Sequence, residues 1–227
     1  LFPQVSSRPI GLATGLSGYH AFQRRPTYMR LADLALHERV KEMAKPEVKA
    51  AILSETDVAV AEPGSMANIF NLFLMAAPVI YPLADPVDYE PEMSMCLGAR
   101  AAATGDDILS VMYDFLLEQD GASMGAIMGG VDVHQSQEVI REMLVHPATV
   151  TGLSDAGAHV TLICDASMPT TQLTYWARDR RRGERIPIEF LVHKQTARNA
   201  RLYGLDDRGT LAPGLRAADS LDRLIAD

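Results

Sequence analysis

The chain has 227 residues, of which 48% are hydrophobic and 22% charged, so it can bury a core and is not a disordered tail. Its 21 Lys and Arg stand against 29 Asp and Glu, a net charge of −8. That balance argues against a nucleic-acid-binding face, which needs clustered cations to neutralise phosphates. No apolar run reaches the roughly 18 residues that a membrane span requires. Two cysteines, Cys96 and Cys164, lie far apart without a CxxC partner. This excludes a disulfide framework and a cysteine zinc knuckle, and it suits a reducing cytoplasm.

In chain order, Leu1 to Val5 reads as a short strand already under way, so the whole protein is expected to begin upstream. The Gly- and Ser-rich stretch RPIGLATGLSGYHAF follows and reads as a loop. Residues 27–54 read as helical, with Leu31, Leu34, Leu36, Val40 and Met43 leading to a second helix that starts at Pro46. Residues 55–92 are punctuated by Pro63, Pro78, Pro82, Pro86 and Pro91 and read as irregular, with Tyr89-Glu90-Pro91 a candidate lid or gate. Two helices follow. One is MSMCLGARAAA at 93–103. The other is DDILSVMYDFLLEQDG, where Ile108, Val111, Met112, Phe115 and Leu116 have helical spacing, Asp residues open the first turn and Gly121 ends the pattern. Ala126 to Met128 reads as a short strand, and Gln135 to Leu144 as a helix with Val139, Ile140, Met143 and Leu144 on one face. Ala148 to Leu153 is a strand that runs into Ser154-Asp155. Thr170 to Arg178 and Pro187 to Tyr203 are helices, Pro187 fitting the first turn and Gly204 the position past the end. The tail DDRGTLAPGLRAAD is rich in turn residues. This alternation suits an α/β fold, and in a β/α barrel the chemistry sits just past the C-terminal ends of strands, which is where Asp155 falls.

Asp155 has two readings. It can cap a helix or close an Asx turn, or it can serve as a general base at a strand end. The small residues around it, Gly152, Ala156, Gly157 and Ala158, leave room for a ligand, and His159 is four residues on. His159 divides between a structural bond and a pocket contact. His20, His37, His134, His146 and His193 form no HxH or HExxH spacing and read as surface or structural histidines. Asp165 and Ser167 in CDASMPT read as a turn before the helix at Pro169. There is no GxSxG elbow, GxGxxG turn or Walker loop. Arg8 can clamp a carboxylate with its planar fork or serve as a structural arginine at a strand end. The cluster Arg178, Arg180, Arg181, Arg182 and Arg185 reads as a solvated helix end and loop.

The stretch HPATVTGLSDAGAHV at 146–160, with CDASMPT, HKQTARNARLYGL and DDRGTLAPGLRAAD after it, resembles the C-terminal part of the amidohydrolase superfamily. It looks most like the N-acyl-D-amino-acid deacylase (D-aminoacylase) branch. PQVSSRPIGL, the run at 26–40 and ADPVDYEP are similar to that branch too, so the resemblance covers nearly the whole chain. It implies the C-terminal part of a metal-dependent β/α (TIM-like) barrel over 1–204, with a long helical insertion at about 12–145. Residues 205–227 would return to a small β-sandwich. Leu1 to Val5 would be the seventh barrel strand and Ala148 to Leu153 the eighth. It implies one or two divalent metals, usually zinc, and hydrolysis of an amide C–N bond by a metal-activated water. Asp155 would be general base and metal ligand, with Arg8, Ser154 and His159 as substrate contacts.

The family's HxH motif and its other metal ligands have no match in this chain and would lie upstream. Cys96 sits in the insertion and reads as core. After GLRA the text ADSLDRLIAD lacks the β-branched run of the family's sandwich strand. The resemblance leaves open a cyclic-amide hydrolase of the hydantoinase or dihydropyrimidinase kind, or a non-catalytic piece of the fold. The implied partners are a small-molecule amide and further protein, either a homo-oligomer or the rest of the barrel.

Overall fold

In the computed structural model of the chain, the described residues are 1–59, 62, 65, 70–129, 134–152, 162–163 and 165–216. Among them the strands are β1 (Gln4–Val5), β2 (Ile10–Gly15), β3 (Ile80–Pro82), β4 (Met124–Gly129) and β5 (Val150–Thr151). The helices are α1 (Pro26–Met29), α2 (Leu36–Met43), α3 (Pro46–Ser54), α4 (Phe70–Ala76), α5 (Leu97–Thr104), α6 (Ile108–Leu117), α7 (Glu138–Val145), α8 (Met168–Thr174), α9 (Ile188–Gln195) and α10 (Ala197–Leu202). The chain divides into two compact units, and each has its own apolar core.

The first unit takes the described residues among Leu1–Pro9, Gly130–Ala156 and Asp165–Asp227. Its strands β1 and β5 are parallel neighbours, Gln4 opposite Val150 and Val5 opposite Thr151. Backbone bonds from Val150 N–H to Pro3 O and from Gly152 N–H to Val5 O, both 3.0 Å, extend the ladder. Parallel neighbours cannot be joined by a tight turn, and here they are far apart in sequence. The sequence predicts both strands, and also the helix between them. That helix, α7, starts at Glu138 rather than Gln135, because Gln135 has a left-handed backbone (φ 57) that a helix cannot continue through. Ile140 and Leu144, one turn apart on α7, are fully buried with Val5, Trp176, Ile186 and Leu191.

Helix α8 passes into a wider π turn at Tyr175–Asp179, which ends when Arg180 N–H bonds Tyr175 O at 2.8 Å. The single helix expected from Pro187 to Tyr203 is two, broken at Thr196, whose backbone (φ −111, ψ −90) leaves the helical region. Gly204 takes the left-handed position (φ 66) past the end of α10, as the sequence predicts. Residues 205–216 make turns and contain no strand, so no sandwich strand is found among the described residues of the tail.

The second unit takes the described residues of Ile10–Gly129 and Gly157–Cys164. It is not simply helical, as the insertion was expected to be. It is built on an antiparallel sheet in the order β2-β4-β3. β2 lies along the whole of β4, from Ile10 opposite Gly129 to Gly15 opposite Met124, and Ile80 of β3 faces Ile127. Part of the stretch read as a Gly- and Ser-rich loop, Ile10–Gly15, is therefore a strand. Its glycine marks close packing: a Cβ on Gly15 would lie 2.3 Å from Met124 Sδ. Pro26 and Pro46 open α1 and α3 in their first turns, Asp107 caps α6 through its carboxylate, and the buried Cys96 caps α5. Cys96 is thus core, as read. The irregular stretch 55–92 holds α4 and β3. The core gathers Phe22, Tyr28, Met43, Phe73, Tyr113 and Phe115.

Among the described residues the strands make one two-stranded and one three-stranded sheet, and no closed barrel. No helix among them is long and apolar enough to cross a membrane.

Candidate functional site

The site that the sequence points to lies at the C-terminal edge of the parallel pair β1 and β5. β1 runs out through Ser7, Arg8 and Pro9, all buried. Three contacts fasten this exit. The indole Nε1 of Trp176 donates to Ser7 O at 2.6 Å, and Ser7 Oγ donates to Met168 O at 2.8 Å. The Arg8 guanidinium donates through Nη1 to Asp165 Oδ1 and to Pro9 O, each at 2.9 Å, and through Nη2 to Ser167 Oγ at 3.2 Å. The carboxylate that the fork of Arg8 meets is thus one of the chain's own. Asp165 and Ser167 form a short 3-10 turn leading into α8, with Pro169 in its first turn, as the sequence suggested. Nothing in the sequence singled out Asp165 as the partner of a buried arginine.

β5 runs out through Thr151 and Gly152. A Cβ on Gly152 would meet Gln4 Oε1 at 2.5 Å, so the glycine makes room for the side chain of the neighbouring strand. Asp155 follows three positions later. Ser154, Asp155 and His159 lie outside the described residues.

At the other end of β5 the ammonium of Lys194, on α9, donates to Thr149 O at 2.8 Å and to Thr149 Oγ1 at 3.0 Å. Lys194 is 1% exposed. Burial, with the nearby charge of Arg198, pushes its pKa down to about 8. Sequence reading passed over it. The signal was there: Lys194 lies one turn from Leu191, on the buried face of α9.

Beside the strand edge, in the same unit, is a cavity of about 290 Å³. Ser7, Thr151 and Gly152 line it from the strand exits, and Gln172, Gln195 and Asn199 from the helices. None of these residues is charged. No motif marks the three amides, which read only as polar positions on helices.

The arginine cluster departs in part from the solvated reading. Arg178 is exposed and pairs with Asp179. Arg180 is 2% exposed, stacks on Trp176 at 4.8 Å and pairs with Glu138 at 3.1 Å. In the second unit, Glu90 of the expected gate is buried. His20 is fully buried, and its Nδ1 accepts the Phe22 N–H at 3.3 Å. Burial, with Arg39 close by, pushes its pKa down to about 3. His37 and His193 are exposed, in line with the surface reading.

Among the described residues no three His, Cys, Asp or Glu converge as a metal site. Asp155, the metal ligand that the resemblance implies for this chain, is not among them.

A family model described as "Amidohydrolase family" matches residues 4–218. An imidazolonepropionase of Paracoccus denitrificans (strain Pd 1222) is 33% identical over 138 residues, which are 58% of this chain and 34% of that protein. The chain thus spans about a third of the length of that relative. No solved structure matches the chain.

Proposed function

Because the chain belongs to the amidohydrolase family, we propose that it supplies two adjacent β/α-barrel strands, with their catalytic edge, to a hydrolase of amide C–N bonds. One observation carries this reading. β1 and β5 are parallel neighbours in register, and both exits, Ser7-Arg8 and Gly152, open on the C-terminal edge where barrels carry their chemistry. Asp155, three residues past that edge, is the proposed general base. It takes a proton from the water that attacks the carbonyl carbon and returns it to the leaving nitrogen as the C–N bond breaks. Ser154 and His159 are the proposed substrate contacts. Arg8, tied to Asp165, holds the edge in shape behind them.

Family members are generally metal-dependent. Zinc is proposed for this protein on the likeness alone, with Asp155, itself outside the described residues, as one ligand. The rest of the barrel, the small-molecule amide partner and a cytoplasmic setting are likewise part of the proposal.

Two substrate readings follow. An N-acyl-D-amino acid has the motif resemblance behind it. A cyclic amide is favoured by the likeness to a protein named imidazolonepropionase, and the uncharged lining of the cavity suits it. The test is Asp155→Asn in the whole protein, assayed on both substrate classes. The change keeps the shape and removes the base, so turnover should fall by about 10²- to 10⁴-fold. Turnover near that of the wild type would sink the assignment.

A further inference from the structure

The cavity beside the β1–β5 edge contains a set of hydrogen-bonding atoms whose identities are fixed by their neighbours. Gln195 Nε2 donates to Pro169 O at 2.8 Å. That oxygen only accepts, so the orientation of the Gln195 amide is settled. The same Nε2 donates to Gln172 Oε1 at 2.9 Å. Gln172 must therefore present its oxygen to Gln195 and its Nε2 elsewhere. That Nε2 has no partner, although Gln172 is only 1% exposed. Asn199 is fixed in the same way. Its Nδ2 donates to the backbone carbonyl of Gln195 at 3.4 Å, which leaves Oδ1 as an acceptor, buried and without a partner. Thr151 Oγ1, at the end of β5, is a third buried polar atom without a partner.

Three residues that line the cavity thus hold an unused N–H donor (Gln172), an unused carbonyl acceptor (Asn199) and a hydroxyl that can act as either (Thr151). Buried polar atoms are nearly always paired, so three unpaired ones around one space of about 290 Å³ mark a place for a polar guest. No lining side chain is charged, so a carboxylate or ammonium would lose its hydration here with no counter-charge to replace it. An amide, urea or lactam group has one acceptor oxygen and an N–H donor side by side, the complement of Gln172 Nε2 and Asn199 Oδ1.

We propose that this cavity is a binding subsite for a small neutral amide or ureido group, held by Gln172, Asn199 and Thr151. The carbonyl oxygen of the guest accepts from Gln172 Nε2, its N–H donates to Asn199 Oδ1, and Thr151 Oγ1 completes the ring of contacts. Gln195 acts through Gln172, locking the orientation of its amide. The subsite does not depend on Asp155 as a base, because binding can be read without turnover.

The test uses imidazolidin-2-one as probe on the whole protein, with binding followed by saturation-transfer NMR. Acetamide and acetate serve as competitors of nearly equal size and shape that differ in charge. Imidazolidin-2-one should bind, acetamide should displace it, and acetate should not. Gln172→Glu keeps the acceptor for Gln195 and replaces the free donor by a second acceptor. It should weaken the probe by about tenfold or more, the value of one well-made hydrogen bond lost, in a variant shown to be folded by circular dichroism. Should that variant unfold, Asn199→Ala at the half-buried neighbouring position should weaken the probe similarly. No binding to the wild type, displacement by acetate as effective as by acetamide, or full affinity in a folded variant would each overturn the subsite. Loss of activity in Asp155→Asn with the probe still bound leaves the subsite intact. A failed probe with an active, Asp155-dependent enzyme removes the subsite and leaves the proposed function standing.

Discussion

Arg8 and Asp165 stand 157 positions apart in the sequence and meet as a buried ion pair, Nη1 to Oδ1 at 2.9 Å, with both side chains 1% exposed. The pair ties the exit of β1 to the turn before α8, so it fixes the rim of the proposed catalytic edge. Taking two charges out of water is costly, and attraction between them offsets that cost only while both are present. Arg8→Met should therefore leave a buried, uncompensated carboxylate and lower the unfolding free energy by about 3–5 kcal/mol. Arg8→Met combined with Asp165→Leu should recover most of that loss. Urea unfolding of the two variants decides it. A single variant as stable as the wild type would show that the pair carries no weight.

Trp176 is the one tryptophan of the chain and is fully buried in the first unit. Its ring packs under the Arg180 guanidinium, and its Nε1 holds Ser7 O. Its fluorescence should be blue-shifted in the native protein and move to the red when this unit opens. Trp176→Phe keeps most of the packing but deprives the Ser7 carbonyl of its donor, a loss of about 1–3 kcal/mol. Trp176→Ala also opens a hole and should cost about 3–5 kcal/mol. Equal losses in the two variants, by chemical denaturation, would mean that the hydrogen bond adds nothing to the packing.

What the sequence disclosed follows the reach of each physical signal. Period and punctuation are local, so the sequence predicts the helix at Pro46, the helix with acidic residues at its start (read as ending at Gly121, where α6 stops at Leu117), the strand at Val150 and the turn at Gly204. β2 was hidden because Gly11 and Gly15 read as loop residues. The missing side chain of Gly15 answers to Met124 on the facing strand, which is more than a hundred positions away. The site divides in the same way. Arg8 stood out as a fork in search of a carboxylate, but its partner Asp165 is set by tertiary folding. Gln172, Gln195 and Asn199 carry no motif at all; only the packing of α8, α9 and α10 brings their amides to one cavity.

His20 should make the second unit sensitive to acid. Its ring is buried and neutral, its Nδ1 accepts a backbone N–H, and its Nε2 has no partner. Its pKa is about 3 in the folded chain against an ordinary 6.5. Between those values the unfolded chain binds the extra proton, so the contribution of His20 is present above pH 6.5 and is lost as the pH falls. The loss approaches about 1.4 kcal/mol for each pH unit. His20→Asn offers Phe22 N–H an acceptor that does not titrate. Between pH 7 and pH 5 its stability should therefore fall less than that of the wild type, by about 2 kcal/mol. Parallel falls in urea midpoint would show that His20 titrates as freely as in the unfolded chain.

Lys194 should act in the opposite pH range. Its ammonium is buried against Thr149, at the start of β5, and burial lowers its pKa from 10.5 to about 8. Above pH 8 the folded chain releases this proton, while the unfolded chain keeps it until about 10.5. The unfolded state thus binds more protons in that window, and stability rises with pH, by no more than about 1.4 kcal/mol per unit. The neutral amine still donates to Thr149, so the anchor of β5 survives the change. Tyrosines also titrate at high pH, and their effect is removed by comparison with Lys194→Met, which lacks both the proton and the donor. The free-energy gap between wild type and Lys194→Met should widen from pH 7.5 to pH 9.5 in denaturant titrations. A constant gap would mean that the lysine keeps its ordinary pKa, and that the fold holds its full charge at the base of β5 without cost.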